Sequence, residues 1–256
     1  MSDLFDLSGK VAAVVGGGGV LAGEMALGLA RNGADVAILD FNAEAANARA
    51  QQIRDLGRRA IGIAVDATKK ADLQRALDTM LSEFGGAHIL VNAAGINSGT
   101  PFFEISEEEW HRIIDVDLKS VFLACQVFGA HMVQPGNGGS VINISSASSG
   151  PPLSKVFTYS VAKGGVNQIT QFLAREWATQ GVRVNAILPG FFPAEQNRKL
   201  LTEERVANIM RHTPMARYGE ASELVGATVY LSSDKASGFV TGSILRVDGG
   251  YLAMTI

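Results

Sequence analysis

Tyr159 and Lys163 stand four residues apart in the run Tyr159-Ser160-Val161-Ala162-Lys163. On a helix that begins near residues 154–158, the two side chains share one face, about one turn apart. A phenol is a weak acid with a reference pKa of about 10. An ammonium fixed beside it stabilises the phenolate and makes it a usable proton donor or acceptor near neutrality. Ser146 lies thirteen residues upstream, just past Val141-Ile142-Asn143-Ile144, which reads as a buried strand. A hydroxyl at the end of that strand and a Tyr/Lys pair on the next helix can meet over the strand edge. Tyr and Lys at this spacing also occur on many helices by chance, so the surrounding elements must decide.

Those elements form a regular series. Apolar runs at residues 11–15, 36–39, 60–65, 89–91, 141–144, 182–188 and 244–247 alternate with helical patterns. The helical patterns span residues 20–32, 43–56, 70–84, 107–132, 158–179, 194–211 and 221–231. Most of the strands are continuously apolar, which implies burial on both faces. The expected fold is therefore α/β: a single-domain, Rossmann-type, doubly wound parallel sheet of about seven strands with helices on both faces. With no repeat or linker in sight, residues 1–256 read as one domain. The chain is 47% hydrophobic and only 18% charged, which excludes a disordered protein. A net charge of −3 without a basic block gives no sign of a nucleic-acid partner. Cys125 is the only cysteine, so no internal disulfide can form and a reducing compartment is expected. No apolar run approaches the ~20 residues of a membrane span. The acidic first residues do not resemble a signal peptide, and a cytoplasmic location is expected. His88, His111, His131 and His212 show no metal-ligand spacing, so no metal site is expected.

In such sheets ligands bind beyond the carboxyl ends of the strands, where strand order reverses. Gly16-Gly17-Gly18-Gly19 follows the first strand at that end, and a helix follows it. Glycines admit a diphosphate close to the backbone, and a helix start offers free N–H groups and a positive dipole end. A glycine-rich turn is also often only a flexible turn. Asp40 adds weight. It ends the second strand, 24 residues after Gly16, where its carboxylate can bind both ribose hydroxyls and repel a 2′-phosphate. No Arg or Lys stands in the turn or directly after Asp40, so NAD is expected over NADP. The alternative for Asp40 is a helix cap, a role for which Asn42 is better suited. Asp66 ends the third strand, within reach of an adenine amino group. Asn92-Ala93-Ala94-Gly95 follows the fourth with small residues that leave room for a flat ring, and Asn92 can pin neighbouring backbone.

Taken together, these features resemble the short-chain dehydrogenase/reductase superfamily over roughly residues 7–250. The resemblance rests on the glycine turn, Asp66, residues 92–95, Ser146, the Tyr159–Lys163 element, Asn185-Ala186-Ile187-Leu188-Pro189-Gly190 and Val247-Asp248-Gly249-Gly250. It implies an NAD(P)-dependent oxidoreductase acting on CH–OH groups, commonly a homotetramer, with a small-molecule substrate. It implies Ser146, Tyr159, Lys163 and Asp117 as the catalytic set. The implied cofactor contacts are Gly16, Gly18, Gly19, Val20, Leu21, Asp40, Phe41, Asp66, Ala67, Asn92, Ala93, Ala94, Gly95, Tyr159, Lys163, Pro189, Gly190 and Phe192. Three departures stand out. The family turn Thr-Gly-x-x-x-Gly-x-Gly is replaced by Val15-Gly16-Gly17-Gly18-Gly19-Val20-Leu21-Ala22. Val20 resists a positive φ, so Gly17 to Gly19 are expected to carry the tight turn. Asp117 stands where the family usually has Asn, and Ala194 where many members have Thr.

The turn, Pro151 to Lys155 and residues 191–200 are similar to a mannonate/fructuronate-type, sugar-acid subgroup. Ser148, Lys155, Gln196, Asn197 and Arg198 are the implied substrate contacts, and Arg198 could clamp a carboxylate bidentately. For Arg198 and its neighbour Lys199 the alternative is a solvated surface helix. For the whole chain the alternatives are a generic ketone or 3-oxoacyl reductase, and an NAD-binding scaffold or sensor that has lost turnover.

Overall fold

The computed structural model describes residues 3–151, 153–192 and 202–254. Seven strands form one sheet: β1 (Val11–Val15), β2 (Asp35–Asp40), β3 (Ala60–Ala64), β4 (Ile89–Asn92), β5 (Gly139–Ile144), β6 (Val182–Pro189) and β7 (Ile244–Val247). Their order is β3-β2-β1-β4-β5-β6-β7, and every pairing is parallel. The apolar runs become strands because both faces are covered. Beneath one face lie α1 (Val20–Arg31) and α8 (Val225–Ser232), with Met25, Leu29, Ile38 and Leu224 in the core between. Beneath the other lie α3 (Lys70–Phe84), α5 (Ser120–Met132) and α6 (Phe157–Trp177), with Leu73, Leu90, Phe128 and Val166 in the core. α2 (Ala43–Asp55) packs on β2 and β3.

Strand order reverses between β1 and β4, where Val15 lies opposite Asn92. The chain leaving β1 turns at Gly16 and the chain leaving β4 continues through Ala93 and Ala94. These two exits open the crevice that the strand order demands.

Two helical expectations need correction. The single stretch read over residues 107–132 divides into α4 (Glu107–Ile114) and α5, joined by one π-helical turn at Asp115–Lys119. A hydrophobic pattern does not reveal such a turn over so short a stretch, because the backbone stays helical on both sides of the one inserted residue. The helix read over 194–211 is described only as α7 (Glu203–His212), capped by Thr202 Oγ1 on the Arg205 N–H. Ala194, Gln196, Asn197, Arg198 and Lys199 lie outside the described residues. A short α9 (Asp234–Ser237) completes the helices named here.

Candidate active site

One cavity of about 1010 Å³ runs across the carboxyl ends of the strands, from the glycine turn to the start of α6. Its wall includes Ser146, Ser148, Tyr159 and Lys163 at one end, and Gly16, Gly18, Gly19, Val20, Leu21, Asp40, Phe41, Asp66 and Ala67 at the other. Ala93, Ala94, Gly95, Pro189, Gly190 and Phe192 line the stretch between.

The glycine turn is built differently from the expectation. Its positive φ, +77°, falls at Gly16, the retained family glycine, and not within Gly17 to Gly19. A Cβ at Gly16 would come within 2.8 Å of the Ala94 backbone nitrogen, so the close approach of the β1 and β4 exits also demands glycine there. A Cβ at Gly18 would meet Asp40 Oδ2 at 2.9 Å and the Ala45 Cβ at 2.8 Å. Val20 opens α1 as an ordinary, exposed helical residue, so its β-branch is not strained. Ala22, in the last family glycine position, is buried against the sheet. No side chain caps α1 among the described residues, and its first N–H groups and positive dipole end are left for an anion.

Asp40 is fixed by the turn it closes. Oδ2 accepts the Gly18 N–H at 3.0 Å and Oδ1 the Asn42 N–H at 2.9 Å. Asn42, as expected, caps α2 by accepting from the Glu44 and Ala45 N–H groups. Each Asp40 oxygen keeps a further lone-pair site. Among the described residues the cations on the cavity wall are Arg112, Lys163 and Arg205, and they lie away from this end. Asp66 is held by Thr68, whose N–H and Oγ1–H both reach Oδ1, at 3.0 and 2.6 Å. These bonds, with Lys69 at 3.2 Å, hold its carboxyl below the usual range despite partial burial. The glycine cradle, the uncapped helix start and the carboxylate at the strand end fit a dinucleotide.

Asn92 does not stand on the wall. Its side chain points into the interior, where Nδ2 donates to Asn143 Oδ1 at 2.9 Å and contacts Cys125 Sγ at 3.6 Å. It links β4 to β5 through side chains and does not pin backbone. Asn143 in turn donates to Thr170 on α6. Cys125 is buried in the core, which pushes its thiol up to about 12. Lys155 is also off the wall. It occupies a left-handed turn before α6, at φ +70°, with its side chain in solvent.

At the catalytic end, two bonds define Ser146. Its Oγ accepts the Ser148 N–H at 3.2 Å and the Ser148 hydroxyl at 3.1 Å. A hydroxyl oxygen accepts about two bonds, so the Ser146 O–H is left to donate into the cavity. Lys163 is only 3% exposed. Its Nζ donates to the Ile144 carbonyl at 3.1 Å, lies 3.4 Å from Asp117 Oδ1 and is 5.4 Å from the centre of the Tyr159 ring.

Asp117, 0% exposed, sits within the π-helical turn. Oδ2 accepts the Ile96 N–H at 2.9 Å, while Oδ1 has the Lys163 ammonium as an ion-pair contact without a well-aligned hydrogen bond. Burial pushes its carboxyl up, opposed by Lys163 and by the Ile96 N–H. Gly95 makes room for this pair: a Cβ there would lie 2.7 Å from Asp117 Oδ1. An Asp in the Asn position is thus accommodated as an acceptor and counter-ion, roles that need no amide donor.

The cavity also holds residues that sequence reasoning missed, among them Asn97, Arg112, Leu153, Arg205 and Tyr218. Tyr218 Oη is buried without a hydrogen-bond partner among the described residues, and burial raises its phenol. The only sequence signal at Arg205 is weak: it is a cation in an otherwise acidic first helical turn. Among the described residues no cluster of His, Cys, Asp and Glu could hold a metal ion. None of the described helices is long and apolar enough to cross a membrane.

Comparison with known proteins agrees with this geometry. Residues 19–252 match the family model described as enoyl-(acyl carrier protein) reductase, a short-chain dehydrogenase model. The chain is 38% identical over 250 residues to the 2-dehydro-3-deoxy-D-gluconate 5-dehydrogenase of Escherichia coli, covering 97% of this chain and 98% of that one. It is 37% identical to the 5-keto-D-gluconate 5-reductase of the same organism, covering 98% and 99%. A crystal structure of a gluconate 5-dehydrogenase from Burkholderia cenocepacia, in complex with NADP and tartrate, superposes with a TM-score of 0.94 at 34% identity, covering 99% of both chains. A Haemophilus influenza protein assigned as a D-mannonate oxidoreductase, with bound NAD, superposes at 0.91 and 32% identity, covering 98% and 97%. With a switch-point glycine cradle and a Ser/Tyr/Lys constellation on one cavity wall, this chain belongs to the short-chain dehydrogenase/reductase family.

Proposed function

We propose that this protein catalyses the reversible oxidation of a secondary alcohol on a sugar acid or polyol to the ketone, with NAD as cofactor. The observation that carries the reading is the shared wall: Ser146, Tyr159 and Lys163 line the same cavity as the glycine turn and Asp40. The relatives named for gluconate, keto-gluconate and dehydro-deoxy-gluconate support the substrate class.

Gly16, Gly18, Gly19 and the N–H groups of α1 would hold the diphosphate, and Asp40 the adenosine ribose. The bound nicotinamide supplies a hydride acceptor for oxidation and a donor for reduction. Tyr159, as phenolate, takes the alcohol proton during oxidation and returns it to the developing alkoxide during reduction. Ser146 donates its free O–H to the substrate oxygen and holds its geometry. Lys163 presents positive charge to Tyr159, and Asp117 and the Ile144 carbonyl fix the ammonium in place. Asp40, with no cation near it among the described wall residues, supports NAD over NADP, because a 2′-phosphate would face an uncompensated carboxylate. Assembly as a homotetramer in the cytoplasm belongs to the same reading.

The test is absorbance at 340 nm with NAD or NADP across sugar acids, polyols and simple secondary alcohols. Turnover of sugar acids or polyols with kcat/KM favouring NAD is expected. Activity confined to uncharged, unbranched alcohols would remove the substrate reading. Equal kcat/KM for both cofactors would remove the assignment of Asp40.

A further inference from the structure

Arg205 stands on the wall of the cavity that holds Ser146, Tyr159 and Lys163, in the first turn of α7. That is an unfavourable end for a cation. The helix dipole is positive there, and the turn otherwise carries Glu203 and Glu204, as the dipole prefers. Helix stability therefore does not account for the charge.

The guanidinium is nevertheless held in one place. Nη1 donates to Ser154 Oγ at 3.0 Å and Nη2 to the Ser154 carbonyl at 3.1 Å. Ser154 lies in the loop that leads into α6 and Tyr159. The bridge thus ties α7, which follows β6, to the segment directly before the proposed proton carrier. Arg has five N–H donors. Among the described residues Ser154 takes two of them, and Nε–H and one N–H on each terminal nitrogen have no further described partner.

Aromatic side chains border this part of the cavity. The Tyr251 ring meets Phe191 edge-on at 5.0 Å and His212 at 4.9 Å, and burial raises its phenol with Arg205 opposing. Phe191 itself lines the cavity. An Arg guanidinium forms charge-assisted, bidentate hydrogen bonds with a carboxylate. The other cations among the described wall residues are less suited. Lys163 is engaged by Asp117, and Arg112 is an exposed residue on α4 that shares its part of the wall with Asp115.

We propose that Arg205 recognises the carboxylate of the substrate, so that the anionic end docks between α7 and the Ser154 loop while the reacting hydroxyl lies at Ser146 and Tyr159. The inference rests on the sugar-acid reading above and narrows it to hydroxy acids over uncharged polyols. Ser154 pre-orients the planar fork, which lowers the ordering cost of a bidentate contact.

The test is calorimetric titration of the NADH-loaded protein with D-gluconate and with D-glucitol, an uncharged polyol of equal carbon number. NADH cannot accept a hydride, so binding is read without turnover. The wild type is expected to bind gluconate roughly tenfold or more tightly than glucitol, the scale of a charge-assisted contact. Arg205→Gln should abolish that preference and leave the affinities for glucitol and NADH unchanged. Arg205→Lys should retain part of it and covers the case that the Gln variant does not fold. Ser154→Ala, which removes one acceptor and no charge, should keep most of it. The proposal is overturned if the wild type shows no preference or if the preference survives Arg205→Gln. Equal weakening of both ligands, which marks a purely structural bridge, or weakening of NADH, which marks a cofactor contact, also overturns it. A protein that binds gluconate through Arg205 but oxidises no sugar acid or polyol defeats the proposed function alone. Undiminished gluconate turnover by Arg205→Gln defeats this inference alone.

Discussion

Ser146, Tyr159 and Lys163 have distinct tasks because their neighbours restrict them. Ser148 occupies the acceptor sites of Ser146 and leaves it a donor. Tyr159 is the proposed proton carrier, and a positioned acid/base contributes about 10²–10⁴-fold to rate. Tyr159→Phe should lower kcat by that factor with NADH affinity unchanged, read by steady-state kinetics beside fluorescence titration; near-normal turnover would refute the assignment. Asp117 bears on the same chemistry through Lys163. Its carboxylate lies 3.4 Å from the ammonium and offsets the positive field reaching Tyr159. The other charged side chains on this stretch of wall are Arg112 and Asp115. In Asp117→Asn the Ile96 N–H keeps an acceptor while the offsetting charge is gone. The kcat for oxidation at neutral pH should change by roughly tenfold with NADH affinity unchanged, read by steady-state kinetics beside fluorescence titration. A kcat equal to that of the wild type would show that the charge of Asp117 does not reach the reaction at Tyr159. The sequence shows Asp117 as an unusual residue. Its engagement with both Ile96 and Lys163 depends on atoms 21 and 46 residues away, which no local pattern encodes.

At the scale of elements, two strand ends carry consequences. Gly16 closes the β1 exit with φ +77° against the Ala94 backbone. Gly16→Ala imposes both a left-handed strain and a backbone clash, for a loss of roughly 2–4 kcal/mol. Urea melts should show that loss, and NAD binding should weaken with it; an unchanged midpoint would mean that the two exits can separate. At the opposite edge His88 Nδ1 accepts the Val11 N–H at 3.1 Å, joining the starts of β4 and β1. Burial lowers the His88 pKa below 6.5, with Lys10 and His131 adding to the shift and Asp234 opposing it. A proton on Nδ1 would break the bond. The stability that His88 contributes is therefore present above pH 6.5 and is lost as pH falls through its lower folded value. The melting temperature of the wild type should fall toward that of His88→Ala between pH 7 and pH 5. A constant difference across that range would remove the linkage. The strand and glycine-turn positions were legible because continuous apolar runs and glycines report locally on burial and on backbone freedom. The π-helical turn and the site of the positive φ were not, since each is set by what packs against it.

For the whole molecule, burial and exposure divide the helices that flank the sheet. α5 and α6 bury Phe128 and Val166 but leave Phe122, Val161 and Phe172 exposed. Apolar groups left in water on two helices suit contact with further copies of the chain. Sedimentation should give a mass near four times 27.0 kDa, and Phe172→Glu should yield a smaller species. A monomer at micromolar concentration would refute the homotetramer.

The sheet and the nucleotide end could be read from the sequence, as could the meeting of Ser146, Tyr159 and Lys163 on one cavity wall. Periodicity, glycine clusters and a Tyr-x-x-x-Lys spacing are local properties, and residues four apart on a helix must share a face. It also marked Asp40 and Asn42 for separate roles at the end of β2. Only the tertiary structure decided that Asn92 faces inward, that Lys155 points into solvent and that Asp117 pairs with Lys163. It alone brought Arg205 to Ser154, 51 residues away in sequence. Contacts of that kind arise from the packing of α6 and α7 around β6 and leave no periodic trace in the residues that make them.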